Sequence, residues 1–215
     1  MSTDPHLVPH WNAAALVTID MQRDFLSDGP FGVAGTTEIL PDLRRLTEAF
    51  RAGARPIVHM VRLYPRDGRD VDRVRRTLIE QGAPFLSPGT PGRGLAWGLA
   101  PEGAPDLDDR LLLDGRPQRL GPDEFALYKP RWGAFYRTPL ADLLGEYGVD
   151  TVVFAGCNLP NCPRASLVEA HERDFRVVLV TDAVSEASEQ GFREVAGLGT
   201  VLMSTADTVE AVSRG

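Results

Sequence analysis

A chain of 215 residues, 43% of them apolar, is long enough to bury one substantial hydrophobic core. Its formal net charge of −7 argues against a general affinity for nucleic-acid phosphates or anionic lipid surfaces, because both require an excess of Lys and Arg. No segment has the composition of a secretory signal or the roughly 20 apolar residues of a membrane span. We therefore expect a soluble cytoplasmic protein with no nucleic-acid and no membrane partner.

The predicted strands are short, rich in β-branched residues and continuously apolar, which is typical of a parallel sheet covered on both faces. They span residues 14–20, 56–61, 125–129, 151–155, 177–181 and 200–204. Segments 39–52 and 138–146 have the apolar spacing of helices. This alternation predicts one α/β domain over residues 1–215, a three-layer α/β/α sandwich around a mainly parallel six-stranded sheet.

Two segments lie outside this alternation. Residues 1–12 form a predicted N-terminal extension, and residues 82–121 are dense in Pro and Gly. A loop of that length within a compact domain is usually functional or contacts a partner. We interpret 82–121 as an insertion or loop of this kind.

Three reactive side chains follow three of the predicted strands. Asp20 ends the first strand, Lys129 ends the third, and Cys162 follows the fourth strand and a turn over 156–161. In such a fold these ends meet at one edge of the sheet. Each residue alone has an ordinary structural explanation, but together they supply a base, a cation and a nucleophile.

Cys162 has the position of an activated thiol, because it opens a predicted helix with Pro163 at its first position. Free backbone donors and the helix dipole there are expected to lower the pKa of a thiol. The same backbone amides can receive an oxyanion. The other cysteine, Cys157, lies within the turn, and two cysteines are too few for a disulfide scaffold.

Four spaced motifs carry a resemblance to a known family. They are residues 16–25, Lys129 with Ala134, Phe135 and Thr138, residues 156–162, and Asp182 with Ala183. In these motifs the chain resembles the isochorismatase-like hydrolases, which include nicotinamidases, N-carbamoylsarcosine amidases and ureidoacrylate amidohydrolases. The resemblance implies that Asp20, Lys129 and Cys162 are catalytic. It also implies a cis peptide bond between Cys157 and Asn158, and an oxyanion hole formed by the backbone amides of Asn158 and Cys162.

The resemblance also suggests which residues contact substrate. The pocket residues by position in the family pattern are Gln22, Phe25, Trp132 and Phe135. Further candidates, for a substrate that carries a carboxylate, are Arg62, Tyr64, Arg66 and Arg164, since Arg binds that group through paired hydrogen bonds. Leu159 and Pro163 depart from the family pattern, so the turn chemistry is expected to be specialised.

Nicotinamidases of this family carry an Asp and histidines after the second strand that bind a metal. This chain has only His59 there, within the predicted strand. We therefore expect no metal and no cofactor, and interpret His59 as a core histidine.

These observations predict a cysteine amidohydrolase that cleaves a small amide or ureido substrate through a thioester. Two alternatives remain open: an enol-ether hydrolase in which Asp20 acts as general acid without the cysteine, and a non-catalytic binding module of the same fold. We also expect a homo-oligomer, a dimer or tetramer, from the family resemblance and from the length of segment 82–121.

Overall fold

The computed structural model describes residues 4–215 and contains one sheet of seven strands. The strands are β1 Ala14–Ile19, β2 Ile57–Val61, β3 Gln118–Gly121, β4 Glu124–Tyr128, β5 Thr151–Gly156, β6 Arg176–Val184 and β7 Val201–Met203. Their order across the sheet is β3-β4-β2-β1-β5-β6-β7. All neighbouring strands pair in parallel except β3, which runs antiparallel to β4.

Helices cover both faces of this sheet, which confirms the three-layer sandwich. They are α1 Leu40–Ala52, α2 Arg73–Glu80, α3 Asp109–Leu113, α4 Leu140–Glu146, α5 Cys162–His171, α6 Glu189–Ala196 and α7 Thr205–Arg214. Helices α1 and α7 bury their apolar residues in the cluster on one face, and α4, α5 and α6 bury theirs in the cluster on the other.

Helix α1 shows why the sequence adopts this layer. Pro41 stands in its first turn, where the missing N–H costs no hydrogen bond. Leu43, Leu46 and Phe50 recur at helical spacing and are fully buried. Burial of a side chain of this size contributes about 1.5–3 kcal/mol, so this stripe fixes the helix against the sheet. The helix ends at Gly53, whose N–H donates to the carbonyl of Ala49.

The predicted count of six strands is wrong, because segment 82–121 contributes a seventh. Strand β3 has only four residues, with an alternating burial pattern, and it lies at the edge of the sheet. A short edge strand lacks the continuous apolar run that marks a central parallel strand. The segment also contains α3, and its Leu95, Leu107 and Leu112 form a small core with Val61 and Tyr128.

The described part of the N-terminal extension lies against the domain. Leu7 packs on the apolar cluster of the α1 face. The backbone N–H of His10 donates to the Thr151 hydroxyl, at 3.0 Å. Residues 1–3 of the predicted extension lie outside the described residues. No helix within residues 4–215 is long and apolar enough to cross a membrane.

The topology creates a crevice at the carboxyl ends of β1 and β5, which are neighbours in the sheet. The chain leaves β1 for helix α1 on one face and leaves β5 for helix α5 on the opposite face. Such a switch point is where α/β proteins of this type bind their ligands.

Candidate active site

A buried ion pair occupies the crevice. Lys129 Nζ lies 2.9 Å from Asp20 Oδ2 and donates a second hydrogen bond, 3.2 Å long, to the carbonyl of Arg131. The side chains of Lys129 and Asp20 are only 0% and 2% exposed. Burial of two charges is costly and is weak evidence of a gain in stability, so a functional explanation is favoured.

The strand ends position both partners of the pair. The backbone N–H of Lys129 donates to the Val61 carbonyl, and that of Asp20 donates to the Met60 carbonyl, so each residue extends a strand pairing by one position. Asp20 then adopts a φ of 54°, in the left-handed region, as the chain turns away from β1. The sequence thus brings two residues 109 positions apart to one point.

The turn after β5 approaches β1 very closely at Gly156. Its φ is +124°, and a Cβ there would stand 2.3 Å from the carbonyl oxygen of Ile19. Only glycine fits this position. The next peptide bond, between Cys157 and Asn158, is cis, as the resemblance implied. The turn is tied to β6 by a 2.9 Å hydrogen bond from the Leu159 N–H to the Ser185 carbonyl.

Cys162 is the first residue of α5, one position earlier in the helix than expected, and Asn161 occupies the N-cap. Within residues 4–215, the backbone N–H groups of Asn158 and Cys162 donate to no acceptor. Two unused donors beside the cysteine are what an oxyanion hole requires. Their assignment to that role stays a prediction.

The thiol of Cys162 does not have the lowered pKa expected from its helix position. Burial raises the pKa of the Cys162 thiol to about 12, and the negative charge of Asp20 adds to this, whereas Lys129 and Arg62 act in the opposite direction. The thiol is therefore protonated near neutral pH and interacts with Asp20. The Oδ1 atom of Asp20 has no hydrogen-bond partner among the described residues, so this carboxylate oxygen is free to accept the proton.

Cys157 lies in a different environment from Cys162. It is buried in the apolar cluster of the α1 face. Burial raises the pKa of its thiol to about 12, although hydrogen bonds with Thr36 and Ser185 oppose the shift. The structure therefore places Cys157 beneath the turn and Cys162 beside the ion pair.

Gln22 and Phe25, two of the expected pocket residues, lie in the interior. The Gln22 side chain accepts from the N–H of Arg62 and donates to the carbonyls of Arg62 and Arg93. It therefore braces the loop after β1 against the chain after β2. The ring of Phe25 packs edge-on against Phe85, with centroids 5.3 Å apart.

Trp132 and Phe135 lie on the loop after Lys129. Trp132 is 43% exposed and lines a cavity of about 460 Å³. Phe135 is buried and stacks on Phe175, with centroids 5.7 Å apart. The structure thus brings Trp132, and not Phe135, to an open cavity.

A short series of contacts links the cavity to the buried ion pair. The walls of the cavity include Asp72, Arg131 and Glu169, whereas neither the ion pair nor Cys162 lines it. Asp72 contacts Arg62, the Arg131 carbonyl accepts from Lys129, and Glu169 lies on the helix that Cys162 begins. The residues of the cavity wall therefore separate the cavity from the ion pair.

The candidates for carboxylate binding lie in different places. Arg62 and Tyr64 are buried, and both contact Asp72. Arg66 is exposed. Arg164 is also exposed and pairs with Glu194, at 2.6 Å. Only Arg62 and Tyr64 are thus brought close to the cavity.

Sequence reasoning missed two residues that hold the loop of Trp132. The Ser166 hydroxyl accepts from the N–H of Ala134, at 3.1 Å, and donates to the Cys162 carbonyl. The Glu169 carboxylate accepts from the N–H of Phe135, at 2.8 Å. Their positions four and seven residues after Cys162 share one helix face with it. That spacing is the signal that would have identified them.

The region after β2 does not fit a divalent metal. Arg62 and Tyr64 follow this strand, and a guanidinium cation repels a metal ion. Among residues 4–215, no three His, Cys, Asp or Glu side chains are grouped to hold a metal. His59 is fully buried, with its ring nitrogens 2.7 Å from the Thr18 hydroxyl and 2.8 Å from Glu124. The absence of a metal requirement stays a prediction.

Comparisons with known proteins agree with this architecture. The model of the isochorismatase domain matches residues 14–207. A relative from Arabidopsis thaliana, named "probable inactive nicotinamidase", is 31% identical over 86% of each chain. A ureidoacrylate amidohydrolase of Methylorubrum extorquens is 27% identical over 85% of this chain and 74% of its own.

A solved structure extends the agreement to three dimensions. The isochorismatase family protein of Desulfovibrio vulgaris has a TM-score of 0.79 and is 30% identical, and the alignment covers 94% of this chain and 99% of that one. The domain match and these similarities span both the sheet and the crevice. The chain belongs to the isochorismatase family.

Proposed function

We propose that this protein is a cysteine-dependent amidohydrolase that cleaves a C–N bond of a small amide or ureido substrate. The observation that carries the proposal is the convergence of Asp20, Lys129 and Cys162 at the sheet switch point. A cavity of about 460 Å³ is walled in part by Arg131, whose carbonyl accepts from Lys129. The ureidoacrylate amidohydrolase among its relatives acts on a substrate of this class.

In the proposed first step, Asp20 takes the thiol proton while the Cys162 sulfur attacks the substrate carbonyl carbon. Because the thiol is protonated at rest, base and nucleophile must act together. The Asn158 and Cys162 amides stabilise the oxyanion, and Lys129 holds the Asp20 carboxylate in place. Protonated Asp20 then gives its proton to the leaving nitrogen as the C–N bond breaks.

In the proposed second step, water attacks the thioester carbonyl. Asp20 takes a proton from this water and returns it to the departing sulfur. The products are a carboxylic acid, or a carbamic acid from a ureido group, and the free thiol. All of these groups belong to this chain, so the reaction needs no further reactant than water.

The test is ammonia release from a panel of primary amides, ureido acids and nicotinamide. We expect release by the wild type, a loss of about 10³-fold or more in Cys162→Ser, and substantial retention in Cys157→Ala. Full ammonia release by a folded Cys162→Ser protein would exclude Cys162 as the nucleophile, whereas hydrolysis of an enol ether by a protein that releases no ammonia would favour the enol-ether alternative. No release from any member by the wild type would favour a non-catalytic module, as the name of the Arabidopsis relative suggests.

A further inference from the structure

Arg62 is a buried cation that the proposed mechanism does not use. It follows β2 directly, and its side chain is only 3% exposed. The pairing of β2 with β4 ends at Val61 and Tyr128, so Arg62 and Lys129 each lie one residue beyond it, on neighbouring strands. The end of the sheet thus presents two cations side by side, with Asp20 on the next strand.

Strand alternation places Arg62 on the face of the sheet that carries the nucleophile. Met60, two residues earlier, belongs to the apolar cluster covered by α4, α5 and α6. Side chains two residues apart in a strand point to the same face. Helix α5 begins at Cys162 on that face, and the charge of Arg62 acts on both Asp20 and the Cys162 thiol.

The guanidinium is held by only one of its nitrogens. Nη2 donates to the Tyr64 hydroxyl, at 2.6 Å, and to Asp72. The Tyr64 hydroxyl in turn donates to Asp72, at 3.0 Å. Nε and Nη1 are buried and have no partner among the described residues. Buried donors without acceptors are unfavourable, so an acceptor from outside the chain is expected to complete the site.

Two further observations indicate that this acceptor is anionic. Arg131, in the cavity wall, and Arg137 share the single carboxylate of Asp70, so one of these two cations has no carboxylate of its own. Lys129 is already neutralised by Asp20. A guanidinium fixed by Tyr64 and Asp72, with other N–H groups unpaired, is suited to a carboxylate.

We propose that Arg62 is a specificity-determining residue that binds a carboxylate of the substrate, so that the protein acts on short acid amides or ureido acids and not on neutral amides. This inference rests on the proposed amidohydrolase function. Among the arginines that sequence reasoning considered, Arg66 and Arg164 are exposed, and only Arg62 acts electrostatically on Asp20 and Cys162.

The test separates recognition from turnover. Calorimetry on folded Cys162→Ala protein compares succinamate with its neutral analogue succinamide, and 3-ureidopropionate with 3-ureidopropionamide. We expect at least one acid to bind about 10-fold or more tighter than its neutral partner. Adding Arg62→Gln is expected to remove this preference, whereas Arg45→Gln, at a surface ion pair of α1, is expected to leave it unchanged.

The second part of the test measures kcat/KM in proteins that keep Cys162. Arg62→Gln is expected to lower kcat/KM for the acid substrate about 100-fold and for the neutral amide less than threefold. If Arg62→Gln does not fold, Arg62→Lys, which keeps the charge, is expected to fold and still lose about 10-fold of the preference.

The outcomes distinguish this inference from the proposed function. Arg62-dependent binding of an acid by a wild-type protein that releases no ammonia would support the carboxylate site at Arg62 and reject the amidohydrolase. Ammonia release with no preference for the acid, or equal losses on both substrates in Arg62→Gln, would overturn the inference and leave the amidohydrolase intact.

Discussion

The Cys162 thiol is subject to two opposing effects that differ in size. A helix N-terminus stabilises an anion by about 0.3–1 kcal/mol. Burial beside Asp20 moves the pKa from 9.0 to about 12, which corresponds to about 4 kcal/mol. Burial therefore outweighs the helix, and the sequence argument, which left burial out, predicted the opposite direction for the thiol pKa. The thiolate has to form during attack, with Asp20 as the acceptor.

Charge removal around the thiol is expected to shift its reactivity in two directions. Asp20 raises the pKa of Cys162 and Lys129 lowers it. Asp20→Asn is therefore expected to lower the alkylation midpoint, and Lys129→Met to raise it, while both abolish turnover. The rate of iodoacetamide labelling at fixed pH values between 7 and 10, in a Cys157→Ala background, measures both, because below the midpoint the rate is proportional to the thiolate fraction.

Lys129→Arg is the control that keeps the positive charge but changes the shape of the cationic group. It is expected to recover part of the midpoint shift but little turnover, because the planar guanidinium does not replace a compact ammonium. Labelling profiles that superimpose on the parent for all three variants would show that the ion pair does not influence the thiol.

At the scale of elements, the sequence predicted those strands that depend on continuous apolar runs. β1, β2, β4 and β5 are buried at every position, so local composition reports them directly. Because the proposed catalytic residues follow three of these strands, the same pattern located the candidate site. Strand β3 depends instead on pairing with β4, and the roles of Ser166 and Glu169 depend on a loop that folds back on α5. Strand β3 therefore leaves no local signal, and the spacing of Ser166 and Glu169 from Cys162 marks a shared helix face without showing which loop they hold.

The turn at Gly156 is expected to be intolerant of any side chain. Gly156→Ala places a Cβ 2.3 Å from the Ile19 carbonyl at a positive φ, which predicts a loss of about 2 kcal/mol or more in the free energy of unfolding. Gly145→Ala is the matched control, because α4 has open space there and alanine favours a helix by about 0.5–1 kcal/mol. Urea denaturation measures the change in the free energy of unfolding for both variants. An unchanged free energy of unfolding in Gly156→Ala would refute the close approach of Gly156 to Ile19.

A buried hydrogen-bond network joins β1, β2, β4 and α1 through Thr18, His59, Glu124 and Arg51. We expect this network to stabilise the fold less in acid. Burial by itself raises the pKa of Glu124, but hydrogen bonds from Arg51 and His59 outweigh it and leave the pKa lowered. A lowered pKa stabilises the fold above the ordinary value of 4.5, and this contribution is lost as the pH falls through the lowered value.

Glu124→Gln is therefore expected to cost about 1–3 kcal/mol at pH 7 and to flatten the fall of stability on the acid side. Asp42→Asn, at the helix-surface pair with Arg45, is the control and is expected to have little effect. Urea midpoints between pH 3 and 7 measure both. If stability falls with decreasing pH as steeply in Glu124→Gln as in the wild type, this network is not the source of the acid dependence.

At the scale of the whole molecule, segment 82–121 both completes the sheet and presents an exposed surface. Its leucines are buried within the same chain, whereas Trp97 is 60% exposed and stacks on Arg23, 3.5 Å from the guanidinium carbon to the ring centroid. A large exposed aromatic residue on a folded segment is typical of a protein contact. The expected dimer or tetramer stays a prediction.

Light scattering at micromolar concentration is expected to give a multiple of 23.5 kDa. Trp97→Ser is the informative variant, because loss of this contact is expected to shift the distribution toward the monomer without a change in the circular dichroism spectrum. A wild-type monomer would contradict the expectation of an oligomer.

The central claim, that Cys162 forms a covalent acyl intermediate, is tested most directly by mass spectrometry of protein quenched in acid during turnover of an amide. The account predicts an added acyl mass on the peptide that contains Cys162. This adduct is expected to be absent in Cys162→Ala, whose activity is expected to be lower by about 10³-fold or more. Sustained turnover with no adduct on Cys162, together with undiminished activity of the alanine variant, would contradict it.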